Sequence, residues 1–119
     1  MTLRCLLVDD SPRFLGAAHD HLEREGIVVV GVATTIAQAL DQAERLRPDV
    51  ALVDIDLAGE SGFELARLLR QPGGPAVAAV ILISTHSEQD FADLIAASPA
   101  VGFLSKAALS AEAIRGLVG

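Results

Sequence analysis

Residues 6–12 read LLVDDSP, a stretch in which an apolar strand ends in two aspartates and a helix begins directly after them. The apolar run starts at residue 3, and such a continuous run is typical of a strand that is buried on both faces of a parallel sheet. Ser11 and Pro12 form a typical helix start, because serine caps the first turn and proline suits the first helical position. The stretch therefore predicts a βα unit that presents Asp9 and Asp10 at the carboxyl end of its strand.

The same alternation of strand and helix repeats along the chain. The apolar runs predict strands at residues 3–8, 27–32, 50–53, 79–83 and 102–105, each followed by a helical pattern. The helix after the fourth strand is predicted over residues 87–97, with Phe91, Leu94 and Ile95 on its inner face. Residues 55–60 are predicted as a loop. Strict alternation with short loops predicts an α/β fold, in which right-handed crossovers place helices on both faces of a parallel sheet.

The composition limits the functions that the chain can have. The 119 residues carry a formal net charge of −7, which argues against binding of nucleic acid, because phosphate backbones require Lys and Arg. The apolar runs are shorter than a membrane span, and the N-terminus lacks the pattern of a signal peptide. The single cysteine, Cys5, is interpreted as a buried apolar residue of a strand, consistent with a reducing compartment. We therefore expect one cytoplasmic domain that binds neither nucleic acid nor membrane.

Acidic side chains follow the first and the third predicted strands. Asp9 and Asp10 come after the first strand, and Asp54 comes directly after residues 50–53. Ligands bind beyond the carboxyl ends of the strands in an open parallel sheet, so these carboxylates are expected to lie close together. Like charges repel one another, and Mg²⁺ suits such a cluster because it takes few carboxylates, keeps its waters and recruits phosphate. The sequence therefore predicts phosphoryl chemistry on an aspartate.

Two further strand ends complete a pattern. Ser84 follows the fourth predicted strand and Lys106 follows the fifth. An acidic pair, an aspartate, a hydroxyl group and a lysine at these strand ends resemble the receiver domain of two-component response regulators, and the resemblance covers essentially all of residues 1–119. It implies a doubly wound, flavodoxin-like, five-stranded parallel sheet of order 2-1-3-4-5. The short final helix also fits a receiver that is the N-terminal part of a longer regulator.

The resemblance implies a role for each charged group. Asp54 resembles the phosphoacceptor, which takes a phosphoryl group from a sensor histidine kinase and forms a labile acyl phosphate. Asp10 and Asp54 resemble direct Mg²⁺ ligands, Asp9 acts through a water, and Asp56 contributes its backbone carbonyl. Lys106 pairs with a phosphoryl oxygen as a compact charge.

The resemblance also implies a switch. Ser84 donates its hydroxyl to another phosphoryl oxygen, and Phe103 matches the aromatic residue that turns inward in this family. The surface formed by the fourth helix, the fifth strand and the fifth helix then changes and controls an output domain or partner, or forms a homodimer. In this family the output domain often binds DNA and regulates transcription. Such a receiver is not an enzyme, apart from catalysing its own phosphorylation and dephosphorylation.

The sequence departs from the family pattern at a few positions. Ala58 stands where proline is usual, and Ala107 replaces the proline that commonly follows the lysine, which puts the usual cis peptide in doubt. Residues 98–100 read SPA where a Gly-Ala turn is common, and Ser84 replaces the commoner threonine. Each of these changes keeps the chemical groups of the site.

Three alternatives belong to other functional classes. A receiver-like domain that serves only for docking or dimerisation, without phosphorylation, would have the same sequence features. The stretch from Asp54, which reads DIDLA, also resembles the DxDx(T/V) motif of haloacid-dehalogenase-type phosphatases, but that motif is normally on the first strand of longer chains. A flavodoxin-like electron carrier would need a phosphate loop after the first strand and aromatic residues for the flavin, whereas this chain has neither Trp nor Tyr.

Overall fold

A five-stranded parallel sheet forms the centre of the fold in the computed structural model, which describes residues 2–119. The strands are β1 (Arg4–Val8), β2 (Val28–Ala33), β3 (Val50–Asp54), β4 (Ala79–Ser84) and β5 (Gly102–Ser105). Their order in the sheet is β2-β1-β3-β4-β5, and every neighbouring pair is parallel. The doubly wound sheet of order 2-1-3-4-5 is therefore confirmed.

Helices cover both faces of this sheet. They are α1 (Pro12–Arg24), α2 (Ile36–Leu46), α3 (Gly62–Arg70), α4 (Ala92–Ala97) and α5 (Ala111–Val118). Alternate residues of a strand point to opposite faces, so Leu6 packs with α2 and α3 while Leu7 packs with α1 and α5. Within residues 2–119, each helix lacks either the length or the apolar character that is needed to cross a membrane.

Side-chain caps fix where several helices begin. The hydroxyl of Ser11 accepts a hydrogen bond from the backbone N of Phe14 at 3.2 Å, as the sequence predicts for α1. The hydroxyl of Ser61 accepts from the backbone N of Glu64 at 3.4 Å at the start of α3. These bonds satisfy backbone donors that have no partner within the first turn. The helix that follows Asp10 and the helix that follows Asp54 are thus both anchored at their N-termini.

The segment predicted as a loop, residues 55–60, contains a small hairpin instead. Asp56–Leu57 pairs antiparallel with Glu60–Ser61. The two turn residues, Ala58 and Gly59, have φ angles of 51° and 96°. Positive φ at both central positions is typical of the type I′ turns that join short hairpins. Proline could not take the conformation of Ala58, because its ring fixes φ near −65°, so this departure from the family pattern goes with a different local backbone.

The helix predicted over residues 87–97 is divided in two. Glu88–Phe91 is a 3-10 turn, and only Ala92–Ala97 is α-helical, with the break at Phe91 (φ −128°, ψ 17°). Phe91 and Ile95 pack against the core as predicted, but Leu94 is 55% exposed, so its predicted inward position is wrong. Successive side chains of an α-helix point in directions about 100° apart around the helix axis, so a short helix that points Ile95 inward turns Leu94 toward solvent.

Candidate functional site

The carboxyl ends of β1, β3, β4 and β5 meet at one edge of the sheet. In the sheet register Val8 lies beside Val53, Asp54 beside Ile83, and Ser84 beside Ser105. Asp9 therefore follows the end of one strand while Asp54 ends the next. Lys106 follows Ser105 directly in a short 3-10 turn, Lys106–Ala108, and the peptide bond between Lys106 and Ala107 is trans.

Asp9 is fully buried, and its position is fixed by backbone groups. Its Oδ1 accepts a hydrogen bond from the backbone N of Ser11 at 2.8 Å, and its own backbone N donates to the carbonyl of Ala33 at 3.0 Å. Its Oδ2 forms an ion pair with Nζ of Lys106 at 2.5 Å. A buried carboxylate requires such a partner, because desolvation of an unpaired charge is costly.

Asp54 is 7% exposed and shares the same cation. Its Oδ1 accepts from the backbone N of Asp56 at 3.2 Å, and its Oδ2 accepts from Nζ of Lys106 at 3.1 Å. Burial raises the pKa of the Asp54 carboxyl above its ordinary value; these two hydrogen bonds oppose the increase, and the charge of Asp9 adds to it. The net increase means that the ionised form of Asp54 is less stable in this site than it is in water.

Lys106 supplies the positive charge at the centre of the site. Its side chain is 15% exposed, and its Nζ lies 4.5 Å from the centre of the Phe14 ring. Partial burial acts to lower the pKa of Lys106, but the carboxylates of Asp9 and Asp54 outweigh it, so the pKa is raised. The ammonium group is therefore protonated at neutral pH. The sequence carries no signal of the contact with Phe14, which stands there as an ordinary apolar position of α1.

The acidic groups fit a hard divalent cation. Asp9, Asp10 and Asp54 each offer a carboxylate oxygen, and these oxygens lie within 4.8 Å of one another. Asp10 is exposed, whereas Oδ2 of Asp9 is buried and is paired with Nζ of Lys106. Carboxylate oxygens gathered in this way suit Mg²⁺. Asp56 contacts this cluster through its backbone N rather than through its exposed side chain.

Ser84 lies at the same edge, but its hydroxyl faces another partner. It is 4% exposed, and its Oγ accepts a hydrogen bond from the backbone N of His86 at 2.9 Å. Nδ1 of the His86 ring lies 3.5 Å from the same oxygen, and that ring contacts Phe91 edge-on at 5.9 Å. Phe103 is half-buried on β5 and packs against the core on the face of the sheet that α2, α3 and α4 cover. The structure thus brings the three aspartates and Lys106 together, while Ser84 ends the neighbouring strand with its hydroxyl on His86 and Phe103 packs against the core.

Gly62 allows the chain to turn closely behind Asp54. Its backbone N donates to the carbonyl of Ile55 at 2.7 Å. A Cβ at this position would overlap the carbonyl oxygen of Asp54 and lie 2.8 Å from Cα of Ile55. Only glycine permits this approach of two backbone segments without displacement. Gly62 therefore holds the backbone from which the Asp54 carboxylate projects.

Comparison with known proteins gives a consistent result. Residues 5–117 match the family model of the response regulator receiver domain. It is 25% identical over 104 residues to the DNA-binding transcriptional activator EvgA of Escherichia coli strain K12; the alignment covers 87% of this chain and 50% of EvgA. The chain therefore spans about half the length of that relative.

Solved structures are similar over nearly the whole chain. A two-component response regulator of the LuxR family from Aurantimonas superposes with a TM-score of 0.83 at 28% identity, covering 99% of this chain and 86% of the other. A response regulator from Burkholderia pseudomallei, solved with a phosphorylated aspartic acid, a calcium ion and citrate, gives a TM-score of 0.81 at 25% identity, with 98% and 66% covered.

Proposed function

The chain belongs to the response regulator receiver family, and from this we propose that Asp54 is its phosphoacceptor, taking a phosphoryl group from a sensor histidine kinase in the presence of Mg²⁺. One observation carries the proposal: the carboxylate of Asp54 lies at the end of β3 within a cluster of three acidic groups, with Nζ of Lys106 at 3.1 Å. A carboxylate nucleophile suits a reversible signal, because the acyl phosphate that it forms is labile to water.

The protein groups around Asp54 have separate tasks in this proposal. The backbone N of Asp56 restrains the carboxylate through Oδ1. Lys106 neutralises Asp9 and Asp54 before the reaction and pairs with a phosphoryl oxygen after it, as a compact and strongly hydrated charge. Positioning and electrostatic stabilisation are most of what phosphoryl transfer requires from a protein.

The same carboxylates are proposed to hold the metal. Asp10 and Asp54 would bind Mg²⁺ directly, Asp9 would act through a water, and Asp56 would add its backbone carbonyl. When bound, the metal offsets negative charge on the attacking and leaving oxygens. The exposed position of Asp10 leaves the cluster open to solvent on one side.

Phosphorylation is proposed to act on the side of the site where Ser84 lies. It adds about −1.5 to −2 charges, which gives the hydroxyl proton of Ser84 an acceptor, whereas its Oγ at present accepts from the backbone N of His86. Ser84 is the register neighbour of Ser105, so a shift there reaches the strand that carries Phe103 and leads to Lys106. The surface of α4, β5 and α5 would change as Phe103 turns inward, which shifts an existing equilibrium.

The output is proposed to lie outside residues 1–119. EvgA is named as a DNA-binding transcriptional activator and is about twice as long as the matched region, which supports a transcriptional role through a further domain or partner. The charge of −7 makes direct contact of this segment with nucleic acid unfavourable. We propose that the domain works in the cytoplasm with its kinase, that its active form pairs through the α4–β5–α5 surface, and that it is not an enzyme beyond turning over its own phosphoryl group.

Intact-mass spectrometry after incubation with acetyl phosphate and Mg²⁺ tests the phosphoacceptor. We expect one phosphoryl adduct on the wild-type protein that is absent from Asp54→Asn and from EDTA-treated protein, and present in Asp20→Asn, an exposed aspartate outside the cluster. An acetyl adduct differs from a phosphoryl adduct in mass. Because Lys106 is the only lysine in the chain, acetylation of amines is confined to that residue and the N-terminus. An adduct that persists in Asp54→Asn contradicts the assignment. Absence of both the adduct and a beryllofluoride complex favours the docking module.

Thermal unfolding with and without Mg²⁺ tests the metal site. A ligand that binds only the folded state stabilises it by about 2.7 kcal/mol at a hundred times its Kd. We expect this stabilisation to be lost in Asp10→Asn and kept in Asp20→Asn. An equal response of both variants would show that Mg²⁺ acts elsewhere.

A further inference from the structure

We propose that Phe14 is a positioning residue for Lys106, and that its ring holds the ammonium group at Asp9 and Asp54, where phosphoryl transfer needs it. The proposal deepens the function proposed above and rests on it. Phe14 belongs to the first helical turn after the acidic pair, in α1, and contributes no polar side-chain atom of its own. Its effect would be exerted through Lys106.

The contact has the geometry of a cation–π interaction. Nζ of Lys106 lies over the Phe14 ring, 4.5 Å from its centre, within the distance of about 6 Å at which the ring quadrupole attracts a cation. The lysine side chain is 15% exposed, and Phe14 is half-buried against the core between the sheet and helices α1 and α5. Exclusion of water strengthens the attraction, since less of the charge is screened.

Lys106 requires such a restraint because of its own flexibility. A lysine ammonium sits on a four-carbon stem with free rotation, and the chain loses considerable rotamer entropy when the group is held in one place. The carboxylates of Asp9 and Asp54 attract the group through its charge. The Phe14 ring supplies a second surface, so the ammonium is confined between an aromatic face and two carboxylates.

A closed set of contacts fixes the position of the Phe14 ring. Oδ1 of Asp9 accepts from the backbone N of Ser11 at 2.8 Å, and Oγ of Ser11 accepts from the backbone N of Phe14 at 3.2 Å. The ring of Phe14 then meets Lys106, whose Nζ pairs with Oδ2 of Asp9. The carboxylate that pairs with the lysine thus also sets the helix start that places the ring. Lys106 and Phe14 are therefore located relative to the same group.

The single lysine gives a direct spectroscopic test. Protein labelled with ¹³C at lysine Cε has one signal, from Lys106, and an aromatic ring in contact with it shifts the ε-methylene protons by its ring current. We expect a shifted signal in the wild-type protein and in Phe14→Tyr, which keeps the aromatic face. Phe14→Leu keeps apolar contact without that face and should give an unshifted signal. Phe63→Leu removes a half-buried ring that packs on Phe91 and should leave the signal in place.

The rate of phosphorylation by acetyl phosphate is the second measurement. We expect Phe14→Leu to react about three- to tenfold more slowly than wild type, the ratio that corresponds to a partly desolvated cation–π contact. Phe14→Tyr and Phe63→Leu should react within about twofold of wild type, since one keeps the π face and the other never touches Lys106.

The two measurements separate the possible failures. An unshifted ε-methylene signal in the wild-type protein overturns the positioning role without any variant, even where Phe14→Leu fails to fold. A shifted signal together with a wild-type rate in Phe14→Leu also overturns it, because the contact would then have no effect on the reaction. A wild-type protein that forms no phosphoryl adduct refutes the proposed function instead. In that case the loss of the shifted signal in Phe14→Leu and its retention in Phe14→Tyr still support the holding of Lys106 by Phe14.

Discussion

Helices α3 and α4 follow neighbouring strands of the sheet and are packed very differently. α3 has nine residues, begins at the Ser61 cap and buries Gly62, Leu65, Ala66 and Leu69. α4 has six residues after a 3-10 turn, and all of them are exposed except Ile95, which is half-buried. The hydroxyl of Ser87, at the start of that 3-10 turn, caps no donor among residues 2–119. One βα connection is therefore tightly held, and the next is loosely held.

The difference in packing between α3 and α4 matches the two parts of the proposed function, the reaction at Asp54 and the conformational response to it. Asp54 ends the strand that leads into α3, and Ser84 ends the strand that leads into α4. Phosphoryl transfer needs a carboxylate that stays in place, whereas a switch needs an element that costs little to move. Local opening is easiest where few apolar side chains are buried. In the proposed function, the loosely packed α4 is the element that a change at Ser84 would shift, while α3 would keep Asp54 in position.

Truncation of one leucine in each helix gives the largest expected contrast. Leu65 is fully buried and Leu94 is 55% exposed. Leu65→Ala should lower the free energy of unfolding by about 2–5 kcal/mol, because it removes buried methyl groups and leaves a cavity. Leu94→Ala should change it by less than about 0.5 kcal/mol. Urea denaturation of both variants measures the difference, and similar losses would show that α4 is packed as firmly as α3.

Addition of one methyl group at the start of α3 should have the next largest effect. Gly62→Ala places a Cβ against the carbonyl oxygen of Asp54, and we expect a loss of about 1–3 kcal/mol from the displaced backbone. Gly16→Ala is the matched control, because nothing lies within 4 Å of its Cβ, and alanine should stabilise α1 by about 0.5–1 kcal/mol. Urea denaturation compares the two. A neutral Gly62→Ala would mean that the chain behind Asp54 is not held tightly.

Neutralisation of Asp54 should raise the free energy of unfolding in a pH-dependent way. The effect should be smaller than the losses expected for Leu65→Ala and Gly62→Ala. The folded-state pKa of Asp54 is raised above the unfolded value. The stability that this group contributes is therefore complete below the unfolded pKa and is lost as pH rises through the folded pKa. At neutral pH in EDTA, Asp54→Asn should consequently unfold at higher urea than wild type, and the difference should shrink as pH falls through the folded pKa toward about 4.

The control for this prediction is Asp41→Asn, because Asp41 forms an exposed ion pair with Arg45. It should show no such pH-dependent gain, since exposed pairs contribute little. A gain in Asp54→Asn that is constant across the pH range would point to a cause other than ionisation.

The local patterns of the sequence were sufficient to predict the strands, whereas the order of the sheet was predicted from the resemblance to receiver domains. Apolar runs that end in Asp9, Asp54 and Ser84 are local patterns, and strict alternation leaves few ways to connect them. The same local patterns place Lys106 after the last strand, and the structure brings its Nζ within 3.1 Å of Asp54.

The remaining features depend on contacts between distant residues. The hairpin at residues 56–61 has strands of two residues, too short for any periodicity. The break at Phe91 coincides with the packing of this ring on Phe63, at 6.3 Å between ring centres, which a local pattern does not encode. Phe14 meets Lys106 across the fold, and its sequence signal is that of an ordinary apolar helix position.

Removal of a single hydroxyl gives the smallest expected difference in stability between the two regions. It tests only how the first turn of α3 and the 3-10 turn before α4 begin. Ser61 caps α3 through the backbone N of Glu64, whereas the hydroxyl of Ser87 makes no capping bond within residues 2–119. Ser61→Ala should cost about 1 kcal/mol, at most, because the bond is long at 3.4 Å. Ser87→Ala should be neutral to within about 0.5 kcal/mol. Hydrogen exchange of the first-turn amides adds a local measurement: the substitution should accelerate exchange in α3 and leave it unchanged after Ser87. A loss of stability in Ser87→Ala equal to that in Ser61→Ala would mean that Ser87 caps the 3-10 turn before α4 in solution. The loose packing of α4 would then rest on its exposed side chains alone.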